Sequence, residues 1–148
     1  MFGKSLTQRA AFLGILVAAI GSTAAEPPDL NISETSLRGS LSPSDVVQIR
    51  TRIAYRFNAL LQADKEKPLL AARDAILEDF RKYNNAEYRY IFAREAASLA
   101  TQILSQPLEV NDPLRHSKEV NLSIAISQLS QVTIQPALEV LVRHLNPA

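Results

Sequence analysis

The residues best equipped for chemistry are spread along this chain rather than gathered. His116 and His144 stand 28 positions apart, and a metal site built on them would need carboxylates delivered by the fold, because the spacing matches no ligand pattern. His144 falls in the last turn of an expected helix, where positive charge complements free carbonyls. Asp74 and Glu78 lie one helical turn apart, the geometry of a paired acid and base, but Arg73, Arg81 and Lys82 surround them. A salt-bridged surface is the ordinary product of that pattern. Glu95 borders an apolar stripe beside Ala96 and Ala97, and with Tyr88 and His116 it marks the one place where an internal pocket is conceivable.

Recognised catalytic signatures are missing. There is no G-x-S-x-G, no H-E-x-x-H and no glycine-rich loop followed by Lys-Ser/Thr. The chain has no cysteine, which excludes disulfides, thiolate metal sites, a cysteine nucleophile and a lipoprotein anchor together. No catalytic, cofactor-binding or metal-binding residue is assigned from the sequence, no cofactor is expected, and the expected function is non-catalytic.

Two basic patterns point to binding instead. Arg52 and Arg56 share a helix face one turn apart, suited to an anionic partner or to a solvated surface. Tyr83, Tyr88, Tyr90 and Phe92 interleave with Arg81, Lys82, Arg89 and Arg94, an arrangement that in other settings stacks on bases or sugars. The overall charge of +1 gives no field for a polyanion, so these aromatics are expected in a helix-helix core and nucleic acid is not an expected partner.

The elements that must position these residues follow from periodicity. Residues 1–25 combine a basic start at Lys4 and Arg9, an apolar block over Ala10–Ile20 and a small-residue tail ending Ala24-Ala25, the layout of a secretion signal. Eleven strongly apolar residues fall short of the ~20 needed to span a bilayer. Loss of that leader leaves 14 basic against 15 acidic residues, a net charge of −1. Residues 26–41 mix Pro, Ser, Gly and acid and read as an extended N-terminal segment, draped over the first helix of a 42–148 α-helical domain. Ser42-Pro43-Ser44-Asp45 is a strong helix start. The helix runs to about 62 and buries Val46, Ile49, Ile53, Phe57, Leu60 and Leu61. Further helices are expected over about 68–83, 86–105, 113–130 and 136–145. In the fourth, Leu114, Val120, Ile124 and Leu129 are the expected inner positions. Val132-Thr133-Ile134 and Gln135-Pro136 are expected to separate it from the fifth, which buries Leu138, Leu141, Val142 and Leu145. With scarce glycine and no alternating β-branched runs, the fold class is all-α.

Val120-Asn121-Leu122, Ala125, Ile126 and Leu129, followed by Ile134, Pro136-Ala137-Leu138, Leu141-Val142 and Asn146-Pro147-Ala148, resemble a HEAT-type helical repeat over residues 119–148. The resemblance implies an inner helix over 119–130 and an outer helix over 135–145, within a short α-α superhelix. The alternative is a compact five-helix bundle. It further implies either a domain that closes on itself or the N-terminal part of a longer solenoid, because each repeat covers its neighbour's apolar face.

The expected protein is therefore an exported helical scaffold or protein-interaction module, periplasmic or extracellular if bacterial. Its expected partner is a protein, including a second copy through the C-terminal helix, and stable membrane insertion is not expected after the leader is removed. The alternative is a small helical-bundle ligand-binding protein or enzyme using the Tyr88, Glu95 and His116 pocket. N-terminal sequencing of the exported product is expected to begin at Glu26; recovery of Met1 in the membrane fraction would contradict the cleaved leader.

Overall fold

The structure, a computed structural model, describes residues 26–106 and 108–145, with side chains through 131. The leader, Asn146-Pro147-Ala148 and the side chains of Leu138, Leu141, Val142 and Leu145 lie outside the described residues. Within those bounds the chain forms five helices and no strand: α1 (Glu34–Arg38), α2 (Pro43–Gln62), α3 (Glu66–Arg81), α4 (Ala86–Leu104) and α5 (Arg115–Leu145). Helices α2 to α5 pack as a bundle in which α3 touches all three others. The fold is all-α, as the periodicity indicates.

Helix α2 begins where its residues require. The Ser42 side chain accepts from the Asp45 amide and the Asp45 carboxylate accepts from the Ser42 amide at 2.8 Å, with Pro43 at the first helical position. Two of the helix's free donors are thereby satisfied. The Ser42 hydrogen bonds hold the Asp45 carboxyl below its ordinary range. Helix α4 starts on the same principle, the Asn85 side chain accepting from the Tyr88 amide at 2.7 Å.

Helix α3 departs from expectation at both ends. It starts at Glu66, ahead of Pro68, and stops at Arg81; beyond its end, the side chains of Lys82 and Tyr83 reach the N-terminal segment. Both donate to the Leu30 carbonyl, at 2.5 and 2.9 Å.

The core joins Ile49, Ile53, Phe57 and Leu60 of α2 to Leu69, Ile76 and Phe80 of α3. Tyr88, Phe92 and Ala96 of α4 and Leu122 and Leu129 of α5 complete it. Phe80, Phe92, Tyr88 and Tyr83 form a chain of aromatic contacts at 5.0–5.8 Å, the distances at which edge-to-face and tilted rings attract. These aromatics are core, while Tyr90 remains on the surface with the Arg94 guanidinium 6.0 Å from its ring.

Two corrections concern α5. The expected turn at 132–135 is absent, and one 31-residue helix replaces the 113–130 and 136–145 pair. Val132, Thr133 and Ile134 each disfavour a helix by only tenths of a kcal/mol, whereas Pro136 costs about 3 kcal/mol in a helix interior, through its missing donor and its clash with the Val132 carbonyl; the helix nonetheless runs through it. The second correction is rotational. Val120 and Ile124 are exposed, while Leu122, Ala125 and Leu129 are buried. Positions two apart on a helix lie about 200° round its axis, so α5 carries apolar stripes on opposite sides and the bundle takes the leucine-bearing one.

Replacing Ser42 with alanine removes the reciprocal cap and is expected to cost about 1 kcal/mol. A melting experiment would register this as a fall in Tm of roughly 3–5 °C, and no change would mean the cap is dispensable.

Candidate functional site

The most highly charged buried region lies between α2 and α3. Positions 52 and 56 stand one turn apart on α2, so their guanidiniums leave the helix on the same side. They are directed at Asp79, near the end of α3. Arg52 reaches Asp79 through Nε at 2.7 Å and Nη2 at 3.0 Å. Arg56 does the same at 2.7 and 3.4 Å. The Asp79 side chain is 7% exposed, against 14% for Arg52 and 19% for Arg56. Burial pushes the Asp79 carboxyl upward, but the hydrogen bonds and charges of the two arginines outweigh it and hold the group below the ordinary carboxylate range. The sequence offered an external anion or a solvated face for Arg52 and Arg56. The anion they grip is internal.

Asp79 is also a main-chain anchor. Its carbonyl accepts from the Tyr88 hydroxyl at 2.6 Å, which brings in α4. Burial, with Asp79 adding, raises the Tyr88 hydroxyl's pKa, so it stays a donor. Arg52 has a further donor, Nη1, on the Pro28 carbonyl at 2.9 Å. Three helices thus meet at Asp79, and the N-terminal segment joins them through Arg52.

Glu95 accepts from Arg50 of α2 at 2.6 and 3.3 Å and from its neighbour Arg94 at 2.8 and 3.2 Å. The Arg50 hydrogen bond holds its carboxyl low. Glu95 is therefore a second cross-link rather than a poised acid. Tyr88 is fully buried and committed to Asp79. His116 is exposed at the start of α5, beside a shallow concavity whose described lining residues are His116, Glu119, Val120, Ser123, Ile124 and Ser127, all of α5. Neither Tyr88 nor Glu95 lines it, so the three pocket residues are not brought together there. Asp74 pairs with Arg73, whose Nη1 also donates to Asn121 of α5. Among the described residues no group of three or more His, Asp or Glu is placed to hold a metal ion, and no helix is long and apolar enough to cross a membrane.

What remains on the surface is the outer stripe of α5. Val120 is 39% and Ile124 37% exposed, flanked by serines and by Glu119, which accepts from Arg115 at 3.2 Å. The sequence carried a signal for it: valine and isoleucine four residues apart, beside a second apolar series through Leu122, Ala125 and Leu129. No protein-family model matches this chain, and comparison with curated proteins and with solved structures returns no match.

Substituting Asp79 with alanine leaves two buried guanidiniums without their counter-charge and is expected to destabilise the protein by about 3–5 kcal/mol. Because the folded-state pKa of Asp79 is depressed, its contribution is present above the ordinary carboxylate pKa of about 4 and is lost as pH falls through the lower folded value. Urea titrations from pH 6 downward should show stability falling below about pH 4, with a smaller decline in Asp79→Asn.

Proposed function

We propose that this protein is an exported, non-catalytic helical module that binds other proteins, with a second copy of the chain as the first occupant of its contact face. The observation that carries the reading is the two-sided character of α5. One apolar stripe is spent on the bundle core, and the opposite stripe, Val120 and Ile124, has no cover within the described residues. Helix length adds to it. Thirty-one residues span about 46 Å, against about 30 Å for the 20 residues of α2.

The chemistry of the stripe fits a helix-in-groove contact, in which branched apolar residues one turn apart anchor and small polar residues permit close approach. Ser123 and Ser127 are the small residues here. The leader expected over residues 1–25 would deliver the module across a membrane, and the low net charge of the remaining chain suits recognition by shape and apolar contact rather than by a long-range field.

Sedimentation of the exported chain over a wide concentration range tests this. The expected result is reversible self-association that Val120→Asp/Ile124→Asp abolishes, with far-UV circular dichroism and Tm preserved because both side chains are exposed. A monomer at every concentration, indistinguishable from the double variant, would contradict self-association through α5.

A further inference from the structure

The segment before α1 is held in an unusual way. Leu30 and Ile32 are buried, at 3% and 6% exposed, while Asp29, Asn31 and Ser33 face solvent. The chain therefore lies extended, with alternate residues pointing into the body. Five hydrogen bonds accompany those two side chains. Arg52 donates to the Pro28 carbonyl, Lys82 and Tyr83 donate to the Leu30 carbonyl, the Asn31 amide donates to Gln48 Oε1 at 3.2 Å, and the Ile32 amide donates to the Tyr83 hydroxyl at 3.1 Å. Every one joins a side chain of the body to the main chain of the segment.

That division of labour is characteristic of peptide recognition: main-chain bonds hold any extended sequence, and sockets for alternate side chains select it. Tyr83 sets the conformation, since its single hydroxyl donates to the Leu30 carbonyl and accepts from the Ile32 amide. An extended backbone presents those two groups on one side, within reach of one oxygen. The fittings come from α2, the α3–α4 corner and its Tyr83, and none from α5. The short helix that follows buries no residue, and the Gly39-Ser40 link to α2 is exposed. Release of the segment would break one of the bonds made by Arg52 and leave its grip on Asp79 intact.

We propose that the trough beneath residues 28–33 is a binding site for an extended segment of a partner protein with apolar residues two positions apart, and that the chain's own Leu30-Asn31-Ile32 is its resident competitor. Tethering gives the resident a high effective concentration. A partner therefore gains entry when the segment opens locally, which withdraws Leu30 and Ile32 from the core.

The probe is a fluorescent peptide of residues 26–38, EPPDLNISETSLR, titrated into the exported chain and into its Leu30→Asp/Ile32→Asp variant, which evicts the resident. Saturable binding at least tenfold tighter to the variant is expected, lost when the peptide carries the same two substitutions and weakened by Tyr83→Phe in the protein. Val120→Asp/Ile124→Asp should leave peptide binding unchanged, which separates this site from the α5 face. A folded variant that does not bind, or binding that depends on Val120 and Ile124, overturns the proposal. Should the variant unfold, hydrogen exchange on the unaltered chain decides. Asn31 and Ile32 amides exchanging at least tenfold faster than Ile53 support a separable resident, and exchange at the rate of global opening overturns it.

Discussion

The fold depends on one buried carboxylate. Asp79 sits where α2, α3, α4 and the N-terminal segment converge, and its side chain and carbonyl serve different neighbours. Burying a carboxylate is expensive, and two guanidiniums offset that expense only because each meets it with two donors. The consequence is specificity. An α2 rotated or shifted by one residue would leave a buried anion and two buried cations unmatched, a penalty of several kcal/mol that apolar packing alone would not impose.

The same constraint organises the surface. Since Arg52 also holds the Pro28 carbonyl, the register of α2 sets where the N-terminal segment begins its path across the bundle. Just past the end of α3, the side chains of Lys82 and Tyr83 then bind the Leu30 carbonyl. On the other side, the leucine stripe of α5 completes the core. The position of Leu122 and Leu129 against the bundle obliges Val120 and Ile124 to face away.

Much of the local structure was legible in the residues. Ser42-Pro43 and Asp45 specify a helix start within four positions, and Ile49, Ile53, Phe57 and Leu60 specify its buried face, because both signals depend only on neighbours along the chain. The expected break at Gln135-Pro136 rested on the missing donor and ring clash of proline, a strong local signal, and the helix continues through it all the same. The helix over Glu34–Arg38 interrupts the extended stretch expected over 26–41, and the attachments of the segment were not readable, since no side-chain pattern reports bonds made to its main chain.

The sequence by itself determined an all-helical protein, the starts of α2 and α4, and the apolar faces of α2, α3 and α4. Only the tertiary structure decided that Arg52 and Arg56 point inward, because the anion that draws them lies 27 and 23 residues away on another helix. Only it decided which side of α5 is core. Two apolar stripes of similar strength lie on that helix, and the choice between them belongs to the shape of the three helices it meets.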